Sequence, residues 1–360
     1  MATMPLFPTR PLGRTKVKVA RMGLGCAPLG DLFTTLSEDG AEQVLNAAWD
    51  IGIRFFDTSP FYGHGKSEHR LGHFLRQQPR DQFTVSTKVG RVLRAANNTR
   101  QLDSSEWNMP LAFDLRFDYS YDGVLRSFED SLQRLGLSSI DVLWIHDLDF
   151  MHHGTERRVD AYLAQLATGG WRALEELRSA NVIKAVGAGI NELGMIPKLL
   201  DVTEVELFLV ALDYNLLDTG MLDAEFPLCA ERDVGVIVGA TFASGILATG
   251  PVDGAKHRYA DATPEVIEKT RRIAEVCSRH GTQLRAAALQ FPLAHPIVNA
   301  IIPGARSAHE VSDNIKLLER PVSLDMWAEL KADGLLRSDA PTPQVDPDPD
   351  HALERPATPD

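Results

Sequence analysis

Residues 121–146 read Tyr-Asp-Gly-Val-Leu-Arg-Ser-Phe-Glu-Asp-Ser-Leu-Gln-Arg-Leu-Gly-Leu-Ser-Ser-Ile-Asp-Val-Leu-Trp-Ile-His. The first fifteen predict a helix over 121–135, because their apolar residues recur at helical spacing. Residues 140–146 predict a strand, since they are almost continuously apolar. Such a strand is typical of a parallel sheet whose two faces are both covered. This helix–strand unit indicates an α/β protein.

The same alternation extends along the chain on both sides of this unit. Strands are predicted at residues 19–25, 54–58, 83–89, 140–146, 183–189, 207–214, 235–239 and 299–302. Helices are predicted at residues 37–49, 67–75, 121–135, 170–180, 193–200, 222–231, 264–280, 284–293 and 309–318. About eight strand–helix units in roughly 300 residues predict a closed (β/α)₈ barrel, the TIM-barrel fold.

The sequence of the turn after the first strand distinguishes the barrel from the alternative fold, a doubly wound sheet. The sheet would carry a Gly-x-Gly-x-x-Gly turn there. The chain instead has Gly23-Leu-Gly25-Cys-Ala-Pro-Leu-Gly30, in which the spacing is different and a proline intervenes. A turn at Gly13-Arg14-Thr15, before the alternating residues 16–19, predicts a small N-terminal β-hairpin.

Two segments depart from the barrel pattern. Residues 90–119 form a long polar and aromatic connection after the third strand. Long connections in compact domains are commonly functional. We therefore expect an ordered loop at the C-terminal face, with Trp107 and Phe113 facing the substrate. Residues 1–340 are predicted to be a single barrel domain, and the Pro- and Asp-rich tail 341–360 is expected to be disordered.

Composition narrows the range of partners. The 360 residues carry a net charge of −12, which disfavours binding to nucleic acid or to anionic membranes. The three cysteines, Cys26, Cys229 and Cys277, are far apart, which argues against a disulfide framework. With no apolar leader in the first ten residues, the sequence predicts a cytoplasmic protein that acts on small molecules. The sequence predicts no particular oligomeric state.

Ionisable residues concentrate at the predicted C-terminal strand ends, where barrels of this kind assemble their active sites. Asp57, Lys88 and His146 end or follow three consecutive strands, and Tyr62 lies in the intervening loop Pro-Phe-Tyr-Gly-His-Gly. Taken singly, the aspartate could cap a turn and the histidine could be a core residue. The lysine is different, because a lysine ending an apolar strand is costly to bury without a partner.

In these contexts the four residues resemble the catalytic tetrad of the aldo-keto reductase family. The resemblance runs from residues 12–15, Leu-Gly-Arg-Thr, to residues 303–306, Pro-Gly-Ala-Arg, and 313–314, Asp-Asn. Residues 118–132 and 146–149 are similar to a branch that contains D-threo-aldose 1-dehydrogenase, L-fucose dehydrogenase and a pyridoxal dehydrogenase. The resemblance implies direct hydride transfer between a nicotinamide and a carbonyl compound or alcohol.

The resemblance also implies a role for each of the four residues. Tyr62 exchanges a proton with the substrate oxygen, and His146 orients that oxygen. Lys88, held by Asp57, is expected to lower the pKa of the tyrosine, because a neighbouring cation stabilises the phenolate. No metal is required for this chemistry. His69 and His73 have the spacing of two metal ligands, but with no evident third ligand they are interpreted as a solvated helix face.

Residues of the cofactor site follow from the same comparison. They are expected to be Asn191, Tyr214, Gly239, Gly304, Arg306, Glu310 and Asn314. Many relatives have a stacking aromatic where Gly239 stands, so Tyr214 or Phe242 is expected to cover the nicotinamide ring instead. Glu310 and Gly304 replace the cations that often bind the 2′-phosphate of NADP, whereas Arg306 favours that phosphate. The balance favours NAD over NADP.

Three functions fit these observations. The first is a sugar or pyridoxal-type dehydrogenase. The second is an NADPH-dependent reductase of a bulkier ketone or aldehyde. The third is a nucleotide-sensing regulatory subunit similar to the β subunits of potassium channels. The segments of the sugar and pyridoxal branch favour the first.

Overall fold

The computed structural model describes residues 8–96 and 106–344. Its strands are β1 (Arg10–Pro11), β2 (Lys18–Val19), β3 (Leu24–Gly25), β4 (Phe55–Asp57), β5 (Thr84–Val89), β6 (Arg91–Ala95), β7 (Phe113–Phe117), β8 (Val142–His146), β9 (Ala185–Ile190), β10 (Leu207–Val210), β11 (Gly235–Val238), β12 (Lys256–His257), β13 (Ala260–Asp261) and β14 (Val298–Ile301). Eight of them form one parallel sheet in the order β14-β11-β10-β9-β8-β5-β4-β3.

Backbone hydrogen bonds between the first and last strands close this sheet. The amide of Gly23 donates to the carbonyl of Ile301 at 2.9 Å, and the amide of Gly25 donates to the carbonyl of Pro303 at 3.1 Å. Parallel bridges pair the same two segments. The sheet is therefore a closed barrel, as the sequence predicts, and all the C-terminal strand ends meet at one rim.

Helices cover the outside of the barrel. They are α1 (Glu38–Ile51), α2 (Lys66–Leu75), α3 (Tyr121–Leu135), α4 (Phe150–His153), α5 (Glu156–Gln165), α6 (Trp171–Ser179), α7 (Met195–Leu200), α8 (Glu225–Glu231), α9 (Ile246–Thr249), α10 (Pro264–Arg279), α11 (Leu284–Leu293), α12 (Ala308–Glu319) and α13 (Leu324–Ala332). Ser37 caps α1 as predicted, because its hydroxyl accepts a hydrogen bond from the Gly40 amide at 3.0 Å. In the described parts of the chain, no helix combines the length and apolarity needed to cross a membrane.

The predicted N-terminal hairpin is confirmed, and it closes the bottom of the barrel. Its strands β1 and β2 pair antiparallel. The Gly13 amide at its turn donates to the Asn299 side chain at 3.2 Å. Leu12, Val17 and Val19 pack into the barrel interior against residues such as Trp144. In the described part of the chain, the hairpin thus fills the N-terminal end of the barrel interior.

Several predicted bounds differ from the structure. The strand predicted at 19–25 is divided, because residue 19 belongs to the hairpin and the barrel strand is Leu24–Gly25. The connection 90–119 contains an antiparallel hairpin of β6 and β7 rather than a loop. Helices α4, α5, α9 and α13 were not predicted. In the predicted tail, Thr342 is buried, and the expected disorder of residues 345–360 concerns positions outside the described residues.

Candidate active site

A cavity of about 640 Å³ opens at the C-terminal ends of the barrel strands. Asp57 is the last residue of β4, Lys88 lies one residue before the end of β5, and His146 is the last residue of β8. Tyr62 lies in the turn between β4 and α2. All four predicted residues line this cavity. The closed barrel brings them together because consecutive parallel strands end side by side.

Lys88 has the partners that its burial requires. Its ammonium nitrogen lies 2.6 Å from a carboxylate oxygen of Asp57 and donates to the carbonyl of Thr58 at 2.7 Å. Ser86 donates to the second carboxylate oxygen of Asp57 at 2.6 Å. The same ammonium lies 4.6 Å from the centre of the Tyr62 ring. A buried cation is thus held between a carboxylate and an aromatic face.

Tyr62 differs from the expectation in one respect. Its pKa is raised well above the ordinary value, first by burial and then by the carboxylates of Asp57 and Asp147. The prediction that the pKa of Tyr62 is lowered below its ordinary value is wrong, because burial outweighs the effect of the neighbouring ammonium. The ammonium lies against the ring face and gives hydrogen bonds to Asp57 and Thr58. At neutral pH the tyrosine is therefore a neutral hydroxyl, the form that can donate a proton.

The protonation of His146 follows from its neighbours. Its Nε2 lies 3.1 Å from a carboxylate oxygen of Asp147 and makes no hydrogen bond to it, so a hydrogen on this nitrogen stays available to a bound ligand. Its Nδ1 lies 3.2 Å from the Ser59 hydroxyl. That hydroxyl accepts from the Phe61 amide and is left to donate to Nδ1. Burial lowers the pKa of the imidazole well below its ordinary value, so we infer a neutral ring with an Nε2–H donor.

Behind His146 lies a group of polar residues that sequence reasoning did not identify. The Arg91 guanidinium bonds to a carboxylate oxygen of Asp147 at 2.6 Å. It is held 3.7 Å from the centre of the Phe61 ring and 4.6 Å from that of Phe117. Asn191 donates to the other Asp147 oxygen at 2.8 Å. The available signal was the position of these two charged residues in the sequence: Arg91 follows Lys88 by three residues and Asp147 follows His146 directly, so both lie near the same barrel rim.

The same cavity contains most residues of the predicted cofactor site. Its lining includes Asn191, Gly239, Phe242, Gly304, Arg306, Glu310 and Asn314. Arg306 is already paired, since its guanidinium lies 3.1 Å from the Glu310 carboxylate and its backbone amide donates to that carboxylate at 2.8 Å. Two buried polar atoms of lining residues, Oγ1 of Thr241 and Nε of Arg285, lack a hydrogen-bond partner. Unpartnered donors of this kind fit the phosphate groups of a dinucleotide.

Two predicted site residues lie elsewhere. Tyr214 packs against Phe226 and Phe291, with ring centres 4.7 and 5.3 Å apart, outside the cavity. The prediction that Tyr214 covers the nicotinamide is therefore not retained, while Phe242 does line the cavity. Phe113 is partly exposed on β7, where its carbonyl bonds to the His64 ring at 2.8 Å. Trp107 is buried and lines the cavity beside Tyr62, at 5.6 Å between ring centres.

Another hairpin contributes to the cavity wall without having been predicted. Strands β12 and β13 follow the seventh barrel strand, and Tyr259 at their turn lines the cavity. Arg258 anchors this turn, because its guanidinium lies 2.6 Å from the Asp213 carboxylate and donates to the carbonyl of Asn191 at 3.3 Å. Two-residue strands are too short to leave a periodic signal in the sequence.

A closed parallel barrel with this arrangement at its open end defines a class of protein, the NAD(P)-dependent oxidoreductases. The chain belongs to the aldo/keto reductase family, whose model matches residues 21–333. It is 40% identical to pyridoxal 4-dehydrogenase of Microbacterium luteolum, over 91% of this chain and 97% of the relative. It is 36% identical to D-threo-aldose 1-dehydrogenase of a Pseudomonas species, over 90% of this chain and 96% of the relative. The predicted family and branch are confirmed.

Solved structures support the fold. The holo form of an aldo-keto reductase from Bacillus halodurans superposes with a TM-score of 0.70 at 24% identity, over 95% of this chain and 99% of the other. A glycerol dehydrogenase from Gluconobacter oxydans gives a TM-score of 0.69 at 20% identity, over 94% of this chain and 98% of the other. At these identities the likeness concerns the barrel alone.

Proposed function

We propose that this enzyme oxidises the hemiacetal hydroxyl of a sugar, or the corresponding group of a pyridoxal-type compound, with NAD as the preferred acceptor. The observation that carries the proposal is the convergence of Asp57, Tyr62, Lys88 and His146 on one cavity. Relatives named pyridoxal 4-dehydrogenase and D-threo-aldose 1-dehydrogenase, which the chain matches over nine-tenths of its length, support the substrate class.

In the proposed mechanism the protein orients the substrate and moves its proton. The Nε2–H of His146 binds the reacting oxygen, and the Tyr62 hydroxyl exchanges a proton with it. Asp57 keeps the Lys88 ammonium against the tyrosine ring, where the positive charge stabilises a transient phenolate. A bound nicotinamide supplies the hydride acceptor in oxidation and the hydride donor in reduction.

The proposed nucleotide site extends from Asn191 and Phe242 to the N-terminus of α12. The amides at a helix N-terminus favour the negative charge of phosphate groups. Arg285, whose guanidinium donates to Asn314 at 2.8 Å, adds a cation to this end of the cavity. The carboxylate of Glu310 neutralises Arg306 and would repel an additional phosphate. These contacts support the preference for NAD over NADP.

The proposed location is the cytoplasm. Cys26, Cys229 and Cys277 all lie in the described part of the chain, and they are buried and unpaired. Burial raises the pKa of the Cys229 thiol to about 12 and that of the Cys277 thiol to about 12, which keeps both unreactive. Reduced, buried thiols fit a reducing compartment.

The test is a substrate screen with NAD and NADP in both directions. We expect oxidation of aldoses or pyridoxal with NAD, at kcat/KM values well above those for reduction of bulky ketones with NADPH. Faster reduction of bulky ketones would favour the reductase alternative. Tight nucleotide binding without turnover of any of these substrates would favour the regulatory-subunit alternative.

A further inference from the structure

Asp147 is an unusual residue for the rim of a substrate cavity. It follows β8 directly after His146, it is only 6% exposed, and it lines the cavity. Its backbone adopts a φ of +49°, a left-handed conformation that aspartate tolerates better than most residues. Strained backbone conformations at such positions persist where the surroundings hold them for function.

The charge of Asp147 is balanced by its surroundings rather than by solvent. Arg91 bonds to Oδ2, and the rings of His146 and His152 lie 3.1 and 3.6 Å from the same oxygen. These neighbours hold the pKa of the carboxyl far below its ordinary value although burial opposes them. Asp149 lies near by, since Asn191 donates to both carboxylates, and His152 bonds to it.

The carboxylate still has capacity for a ligand. Its two oxygens offer about four acceptor positions and no donor. Asn191 is the only recorded hydrogen-bond donor to Oδ1 among the described residues. Oδ2 lies 3.1 Å from His146 Nε2, the atom proposed to bind the reacting oxygen. A substrate oxygen attached near the reacting carbon would therefore come close to this carboxylate.

We propose that Asp147 is a specificity-determining residue that accepts a hydrogen bond from a second hydroxyl of the substrate, on the carbon next to the reacting one. This inference rests on the proposed function and adds which group of the substrate the site recognises, namely the second hydroxyl. A hydroxyl donates a further, charge-assisted hydrogen bond to the carboxylate, whereas a substrate with hydrogen at that position displaces water from the carboxylate without replacing it as a donor. Sites built to bind a hydroxyl discriminate strongly against analogues that lack it.

The experiment compares substrates that differ only in this hydroxyl. L-fucose and 2-deoxy-L-fucose form the pair for oxidation, and lactaldehyde and propanal form the pair for reduction. In the wild type we expect kcat/KM to be about 100-fold higher for the hydroxylated member. Asp147→Gly removes the acceptor and suits the positive φ, so the ratio should fall to about 1. Asp147→Asn retains a weaker, uncharged acceptor and should give an intermediate ratio.

Asp149→Asn is the matched control. It neutralises a neighbouring buried carboxylate that does not line the cavity, so the ratio should remain at the wild-type value. A merely structural role of Asp147 would lower kcat/KM for both members of a pair equally and leave the ratio unchanged, which would overturn the inference. A wild-type ratio near 1 would overturn it without any variant, even if Asp147→Gly failed to fold.

The two substrate pairs separate this inference from the proposed function. If neither sugar nor pyridoxal is oxidised but lactaldehyde is reduced far faster than propanal, the proposed dehydrogenase function fails and the role of Asp147 stands. If L-fucose and 2-deoxy-L-fucose are oxidised equally well, the function stands and the role of Asp147 fails.

Discussion

The ammonium of Lys88 lies 2.6 Å from the carboxylate of Asp57, and both side chains are almost completely shielded from solvent. Isolated, either charge would be costly to bury. Paired, they hold the Lys88 ammonium 4.6 Å from the centre of the Tyr62 ring. The pair therefore affects both the stability of the barrel rim and the chemistry proposed for it.

Replacing Asp57 by Asn should destabilise the protein as well as impair catalysis. The Lys88 ammonium would lose its charged partner, and breaking a buried pair costs about 3–5 kcal/mol. Urea unfolding measures this loss. The control is Glu156→Gln at an exposed pair with Lys198, which should change the free energy of unfolding by less than about 1 kcal/mol. Equal effects at both positions would contradict the stabilising role of the buried pair.

Tyr62→Phe tests the proposed proton transfer. Removing the hydroxyl should lower kcat by about 10²- to 10⁴-fold and leave nucleotide affinity nearly unchanged, because the hydroxyl acts only in the proton step. Tyr214→Phe is the matched control, since Tyr214 is a buried tyrosine outside the cavity whose hydroxyl has no recorded partner. It should keep wild-type turnover. A Tyr62→Phe enzyme that retained most of its activity would exclude the mechanism.

The direction of the Tyr62 pKa shift predicts opposite pH dependences for the two reactions. Oxidation needs the deprotonated hydroxyl, and a raised pKa makes that form scarce at neutral pH. The kcat/KM for oxidation should thus rise about tenfold per pH unit above neutrality, while that for reduction should stay level until the raised pKa is approached. Profiles with the same slope in both directions would show that another group transfers the proton.

The Arg306–Glu310 pair predicts how nucleotide choice can be changed. Glu310→Ala should release Arg306 to bind a 2′-phosphate, and Glu310→Arg should add a second cation. We expect the ratio of kcat/KM for NADP to that for NAD to rise by about tenfold in the first variant and further in the second. The measurement uses one substrate and both nucleotides. A wild-type enzyme whose kcat/KM is higher with NADP than with NAD would contradict this interpretation of the Arg306–Glu310 pair.

Activity should survive dialysis against EDTA. Asp147, Asp149 and His152 lie within 4.8 Å of one another and could in principle hold a metal ion. Donor hydrogens from Arg91, Asn191 and the histidine itself already point at these carboxylates, and the Arg91 guanidinium beside Asp147 disfavours a second cation. Steady-state rates before and after dialysis provide the measurement, and activity that is lost and then restored by zinc or magnesium would contradict this interpretation.

Repeated hydrophobic patterns in the sequence determined the barrel and the four residues at its rim. The helices at Tyr121–Leu135 and Leu284–Leu293 have the bounds predicted for them, because each presents a continuous apolar face between clear ends. Lys88 could be singled out because a lysine ending an apolar strand requires a buried partner, and Asp57 is that partner. Local signals of this kind depend only on neighbouring residues, so they are visible in the sequence.

Only the tertiary structure decided which distant side chains meet. Arg91 and Asp147 are 56 positions apart and bond at 2.6 Å because β5 and β8 are adjacent in the barrel. Of Tyr214 and Phe242, the two residues that the sequence offered as covers of the nicotinamide, Tyr214 lies outside the cavity among aromatic rings. Burial also reversed the expected pKa shift of Tyr62. Contacts and desolvation depend on how strands and helices pack in three dimensions, and residue type and spacing do not encode them directly.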